Sequence, residues 1–548
     1  TVIVGNPPYA RATSNIGPFI ENLMERYKAA VRSEKNIQPL SDDYIKFLCF
    51  SQDLLTQVPL SILGMITNST YISGRTHRGV RAELQRDFSL IKIVNLHGNA
   101  RVGATGGVPR IDENVFDIMQ GVAVSLWLRG TSEVTKVLYT EIVGTRAHKF
   151  QALSQGPTNS RDWVPVKPSP PYFLWIKRGE ERDAEFSNFV GLDQIFSHSS
   201  VSGKPGDDNL LISFEQSEVI PKLQAFRNAD KSNRSGLTEA GRKLADLGDG
   251  VEFKDSAVTK YAYRPFDDRW TYYDPTIWTR ALTRLRSHVN GQPILLTTKI
   301  IKDSFFSHVF VTRGFPDVIH LSNKSSVNCY SFPVGAASKF ESLNFDIGTK
   351  TSNLDLSAFS TSSGFDWDTE SAFYWIYAVL HSVRYRERYF ELLQYDFPRI
   401  PVEGNVDLIC LLIDLGRSLV SYHLLESPNL VSQGFLDAGP GPMQVEKVSY
   451  SNETVWVDGA KTRGFKGVPE KVWNFHIGGY QVCEKWLKDR QAKGGKNPRS
   501  GRILTEEDIE HYQKIVFALS ETIRIIAEID KTIDAYGGWP DAFIIADV

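Results

Sequence analysis

The chain opens Val2-Ile3-Val4-Gly5-Asn6-Pro7-Pro8-Tyr9, and few strings restrict a fold more tightly. The β-branched run predicts a buried strand. The two prolines end it, because each lacks an N–H and holds the residue before it extended. The turn therefore falls at a strand's carboxyl end, where open α/β sheets hold their ligands. Its residue types form a chemical tool. The Asn6 side-chain oxygen and the Pro7 carbonyl can both accept hydrogen bonds from one exocyclic amine. Two such bonds draw the nitrogen toward tetrahedral geometry and free its lone pair to attack a methyl donor. Pro8 aims the Pro7 carbonyl, and Tyr9 offers a flat face to a base drawn out of a duplex. The plainer alternative is a strand running into a proline turn, with Tyr9 covering the core.

The next stretch alternates helix and strand signals. A helical pattern covers 43–58, with Tyr44, Phe47, Leu48, Leu54 and Leu55 as its apolar face. Strand 61–67, helix 78–88, strand 90–96, strand 121–128 and a short strand at 136–139 follow. We read this as the C-terminal half of a doubly wound α/β sheet, followed by a large mixed α+β region. Pro165, Pro168, Pro170 and Pro171 predict a boundary, giving expected divisions at 1–165, 166–440 and a helical 441–548. In the distal part, helices are expected at 373–393, 479–489 and 506–533. The last carries an apolar stripe at 3-4 spacing, with 484–487 as its expected partner.

A chain of 548 residues exceeds one core and predicts several domains. Its four cysteines stand at no metal-binding or redox spacing, and no histidine or carboxylate pattern argues for a metal site. No apolar run reaches the ~20 residues needed to span a bilayer. We therefore expect a cytoplasmic protein with no membrane partner. The net charge of −2 hides local basic segments. Residues 251–330 hold eleven Lys/Arg against seven Asp/Glu, and 461–502 hold eleven against three. The first segment interleaves Arg264, Arg269, Arg280, Arg284 and Arg286 with aromatic residues, which makes these arginines candidate DNA contacts. Alternatively, Arg264 and Arg269 pair with Asp267, Asp268 or nearby carboxylates and fix a turn. The second segment reads equally well as a solvated loop or a phosphate-contacting strip.

The Asn-Pro-Pro-Tyr string resembles the catalytic loop of the amino-methyltransferases that act on DNA. A narrower resemblance runs through Asn95 to Gly103, Asp112 to Val122, Tyr263 to Trp270, Tyr374 to Ser382, Asp396 to Pro401 and Ile477 to Tyr480. This set looks like the methyltransferase and target-recognition region of the type ISP restriction-modification enzymes. It implies an adenine acceptor, S-adenosylmethionine as cofactor with Asn6 and Pro8 beside it, and double-stranded DNA as partner. Asn6, Pro7, Pro8 and Tyr9 take the catalytic positions. Phe116 matches the ring that faces the catalytic Tyr across the flipped base, although a Phe at a strand's start commonly just packs the sheet edge. The loop Ser202-Gly203-Lys204-Pro205-Gly206-Asp207-Asp208 fits the family's turn only loosely, and its role stays open.

No Gly-rich cofactor turn stands upstream of the catalytic string. The cofactor pocket is therefore expected to be incomplete, with methyltransferase, helicase and nuclease regions lying upstream in the same or a partner chain. Two further readings remain: an inactive specificity subunit that only reads duplex DNA, and a modifier of a protein amide or an RNA base.

Overall fold

The computed structural model describes residues 1–8, 15–98, 112–130, 134–155, 162–176, 180–228, 237–247, 252–336, 352–359, 364–430, 441–494 and 500–544, less single positions at 33, 35, 36, 119, 171, 283, 284, 290, 304 and 326. The chain forms two compact units, Thr1–Asp183 and Ala184–Val548. Among the described residues no helix is long and apolar enough to cross a membrane.

The first unit is built on one six-stranded sheet. Its strands are β1 (Val2–Gly5), β2 (Ser61–Asn68), β3 (Leu90–Asn95), β4 (Val122–Arg129), β5 (Lys136–Glu141) and β6 (Val164–Val166), in the spatial order β1-β2-β4-β3-β5-β6. β1 runs parallel to β2, and β3 parallel to β5. β4 is inserted antiparallel between β2 and β3. Helices α1 (Pro18–Lys28), α2 (Asp43–Thr56), α3 (Thr70–Ser73), α4 (Arg78–Asp87) and α5 (Arg146–Ser154) complete the unit.

Period-two alternation sends side chains to opposite faces. Leu63, Met65, Ile91 and Ile93 join Met24, Leu48 and Leu84 in one core. Ile66 and Val94 face a smaller core shared with Leu96, Val115, Phe116 and Leu153. The 122–129 run is mostly apolar because it is a central strand, although Ser125 interrupts it and Leu126 is 37% exposed. The doubly wound reading thus holds, with two strands, β4 and the edge strand β6, antiparallel to their neighbours, a direction that an apolar run cannot announce.

The unit extends past the prolines expected to close it. Pro165 lies inside β6, an edge strand, where a missing N–H costs no ladder bond. Trp175 is fully buried and meets Tyr71 edge-on at 6.0 Å. Arg81, also fully buried, donates to the carbonyls of Tyr172 and Phe173.

The second unit contains two four-stranded sheets. One orders Phe315–Pro316, Val258–Arg264, Asp267–Tyr272 and Ile212–Ser213; the other orders Val309–Thr312, Ile294–Thr298, Cys329–Pro333 and Ser200–Val201. Helices Thr369–His381, Val406–His423 and Glu506–Ala535 contribute to its large core. The helix expected over 373–393 breaks at Ser382, whose hydroxyl accepts from the Tyr385 amide at 3.1 Å and starts a new helix. The helix expected from 479 begins only at Val482. A tight hairpin, His476–Ile477 against Tyr480–Gln481, precedes it. Gly478 turns that hairpin with φ +59, where an added Cβ would lie 1.9 Å from the Leu321 carbonyl oxygen.

Candidate functional site

β1 ends at Gly5, opposite Met65. Asn6, Pro7 and Pro8 follow directly, with Pro7 buried and Asn6 and Pro8 exposed. Tyr9 lies outside the described residues. Because β4 runs antiparallel, its start shares one sheet edge with the carboxyl ends of β1, β2, β3 and β5. The 112–121 segment that leads into β4 therefore belongs to the same edge as Asn6. β2 alone separates β1 from β4, so the two strands stand two inter-strand spacings apart, about 10 Å.

The segment bearing Phe116 is held from several sides. Lys149 of α5 is fully buried, and its ammonium lies 2.6 Å from Asp112 Oδ1. It also donates to the carbonyls of Leu96 at 2.7 Å and Glu113 at 2.5 Å. The Asp112 carboxylate accepts from the amides of Gly98 (2.7 Å) and Gly144 (3.1 Å). Burial raises its pKa, but the Lys149 ammonium and those two amides outweigh this and hold it below the usual carboxylate range. Asn114 donates from Nδ2 to the Gly98 and Gln120 carbonyls and accepts the Phe116 amide at 2.9 Å. The Arg146 guanidinium donates to the Asn114 and Phe116 carbonyls and pairs with Asp117 at 2.7 Å. Gly98 has φ +76, and a Cβ there would stand 2.5 Å from the Asn114 Cα.

These residues line an open cleft of about 650 Å³ bounded by Gly98, Asp112, Asn114, Phe116, Ile118 and Arg146. Phe116 is half-buried and packs on the smaller core, so its ring is anchored yet partly in reach of solvent. The cradle of Asp112, Asn114, Arg146 and Lys149 went unassigned in the sequence. Only the Asn two places before Phe116, able to bond backbone locally, carries a signal.

The second unit holds the arginines proposed from sequence as DNA contacts, and it separates them. Arg264 and Arg269 are buried, 4% and 8% exposed. Arg264 pairs with Asp317 at 3.1 Å, and Arg269 with Asp267 at 2.7 Å. Asp267 also binds the Arg490 guanidinium at 3.0 Å. Burial raises the Asp267 pKa, but the two guanidiniums prevail and pull it well below the usual range. Arg269, Arg490 and Arg502 each lie within 5 Å of the Phe214 ring centre. The expectation that Arg264 and Arg269 touch DNA is thus corrected, since both guanidiniums are spent inside the fold. Arg490 and Arg502 of the distal basic segment are likewise ion-paired. Arg280 and Arg286 are exposed, the latter 5.3 Å from the centre of the Tyr273 ring. Arg284 lies outside the described residues. Among those described, no group of three His, Cys, Asp or Glu side chains could hold a metal ion.

Two known families match the chain. Residues 1–102 match the Eco57I restriction-modification methylase family. Residues 194–528 match the type ISP C-terminal specificity domain. The chain belongs to the type ISP C-terminal specificity domain family. No curated protein matches it. Its fold is similar to solved structures of the type ISP enzyme LlaBIII bound to DNA (20% identity, TM-score 0.73) and a nuclease-deletion mutant of the type ISP enzyme LlaGI with a DNA substrate mimic (19%, 0.70). The DrdV–DNA complex is similar too (22%, 0.71). Each covers 96% of this chain, whereas the chain spans 37%, 44% and 56% of LlaBIII, LlaGI and DrdV respectively.

Proposed function

We propose that this chain carries the acceptor side of a DNA adenine methyltransferase together with its target-recognition region, within a restriction-modification system. The observation that supports this most is the shared sheet edge. The Asn6-Pro7-Pro8 turn and the Phe116 segment stand at one end of the sheet, one strand apart. A spacing of about 10 Å leaves room for one flat base between two rings stacked on its faces.

In this reading Asn6 and the Pro7 carbonyl accept the two N–H bonds of the adenine amine, so its lone pair points away from the ring. Tyr9 and Phe116 stack on the extruded base and compensate for the stacking lost from the duplex. Toward a cofactor, the described residues fit one wall. Asn6 and Pro8 stand beside the sheet's outer edge, where Val2 and Val4 are 64% and 80% exposed. S-adenosylmethionine, when bound there, supplies an electrophilic methyl group. The chain's own contribution is positioning and electrostatic support of the amine. The second unit reads duplex sequence. Further methyltransferase, helicase and nuclease regions are proposed to act with it from the same or a partner polypeptide.

The test is transfer of labelled methyl groups from S-adenosylmethionine to unmethylated DNA by the complete enzyme, with the modified nucleoside identified. N6-methyladenine is expected, and Asn6→Ala should abolish transfer while specific binding stays near normal. Normal turnover by Asn6→Ala would overturn the assignment. Selective binding without transfer by the unmutated enzyme would identify an inactive specificity subunit. Preferred labelling of RNA or protein would reassign the acceptor.

A further inference from the structure

The loop Ser202-Gly203-Lys204-Pro205-Gly206-Asp207-Asp208 has no part in the reaction just described, yet it is held against residues 278–282 with little freedom. Gly203 is buried, and a Cβ on it would lie 2.6 Å from Trp278 Cζ3 and 2.9 Å from Leu282 Cγ. Gly206 has φ +96, and a Cβ there would lie 2.0 Å from Thr279 Oγ1. Between these glycines, Lys204 and Arg280 exchange both backbone hydrogen bonds at 3.0 Å, forming an isolated antiparallel bridge. In such a pair the two side chains leave the same face, with Cα atoms about 5.5 Å apart.

Both side chains are exposed, and both carry positive charge. Like charges set directly opposite one another destabilise a bridge, so an internal counter-charge would be expected. Among the described residues neither makes an ion pair. The acids of the loop are committed elsewhere. Asp207 caps the Leu210 amide at 3.0 Å and accepts from the Thr238 hydroxyl at 2.8 Å. Asp208 accepts from the Tyr263 hydroxyl at 2.9 Å. A fixed, doubly cationic point with no ion pair among the described residues is complementary to an external anion.

We propose that Lys204 and Arg280 form a backbone-phosphate clamp that sets the register of duplex DNA on the specificity region. This rests on the reading of the second unit as a DNA reader and adds to it where contact is made. Phosphate is favoured over a base edge for a physical reason. Guanine readout needs an Arg fork held in one plane, whereas phosphate attraction needs only charge at the right place. No described side chain orients the Arg280 fork.

The test uses the complete enzyme with Lys204→Gln, Arg280→Gln, the double variant and Arg280→Lys, measured on cognate and non-cognate duplexes over a salt series. Each lost phosphate contact removes about 0.9 from the slope of log affinity against log salt, so the double variant should lose about 1.8. Affinity at low salt should fall on the order of tenfold to a hundredfold, equally on both duplexes, and Arg280→Lys should bind like the parent. Unchanged slope and affinity, with the parent still binding DNA, would overturn the clamp and leave the reading of the unit intact. A loss confined to the cognate duplex and shared by Arg280→Lys would make Arg280 a base reader and overturn it too. A parent that binds no duplex would remove the reading and the clamp together.

Discussion

The Lys149 ammonium stands 2.6 Å from Asp112 Oδ1, and Lys149 is fully buried between α5 and the segment that presents Phe116. Removing one partner of a buried pair commonly costs about 3–5 kcal/mol. Asp112 keeps 23% of its side chain exposed, which places the expected cost nearer the lower figure. Lys149→Met should therefore release the 112–118 segment before the unit unfolds. Hydrogen exchange at the Phe116 amide should rise at least tenfold in the variant, with Asn6 intact and methyl transfer reduced. Because the folded Asp112 pKa lies below its ordinary 3.8, its contribution is complete above that value. It is lost as pH falls through the lower folded value, so acid should loosen the parent segment first.

Asp267 lies between the Arg269 and Arg490 guanidiniums at 2.7 and 3.0 Å. Asp267→Asn leaves two buried cations facing a neutral amide. The expected loss in stability is about 3–5 kcal/mol, against about 0.5 kcal/mol or less for Arg280→Ala at the surface. Urea unfolding of both variants checks the contrast. Equal effects would mean that burial does not distinguish scaffold arginines from available ones. The folded Asp267 pKa is depressed, so this contribution too is present above 3.8 and fades as pH drops through the folded value.

Local signals made the strand-to-proline turn at 2–8 and the strand alternation legible. A β-branched run followed by two prolines leaves one conformational outcome for 2–8. The arginines were not sortable in the same way, because their environment is assembled from distant chain. Asp317 meets Arg264 across 53 positions, and Arg490 meets Asp267 across 223. Arg269 and Asp267 are the exception, two residues apart and open to a pairing argument. The antiparallel β4 escaped notice for a related reason: an apolar run states burial but not direction. Lys149 escaped because nothing in Arg146-Ala147-His148-Lys149-Phe150 says which polar residue faces inward.

His423 links two helices of the second unit. Thr522 donates its hydroxyl proton to the Ala518 carbonyl, so it must accept from His423 Nε2 at 3.0 Å. His423 Nδ1 then accepts the Tyr377 phenol proton at 2.6 Å. Burial, aided by the Arg386 charge, pushes the His423 pKa down to about 3. The unfolded chain therefore binds a proton from 6.5 downward while the folded one does not. Stability is full above 6.5 and falls by about 1.4 kcal/mol per pH unit below it, for this residue alone. In His423→Gln that part of the slope should vanish between about pH 6 and pH 4. An unchanged slope in the urea midpoint would show that His423 is not the group responsible.

Gly206 offers a sharper separation of folding from contact. Its φ of +96 is strained for any residue with a Cβ, and that Cβ would stand 2.0 Å from Thr279 Oγ1. Gly206→Ala must shift the 203–206 loop away from 278–282 or change its backbone, at a cost of about 1–3 kcal/mol. The bridge between Lys204 and Arg280 lies inside that contact, so the variant should splay two cations whose charge is untouched. The salt slope of DNA binding should then fall in Gly206→Ala even though no positive charge has been removed. Gly291 provides the matched control. It also has positive φ (+84), but a Cβ on it meets nothing within 4 Å, so Gly291→Ala carries the backbone cost without the steric one. A slope reduced in Gly206→Ala and preserved in Gly291→Ala would tie DNA affinity to the position of the two cations. A slope preserved in both would mean that net charge, wherever it sits, is all that the duplex senses there.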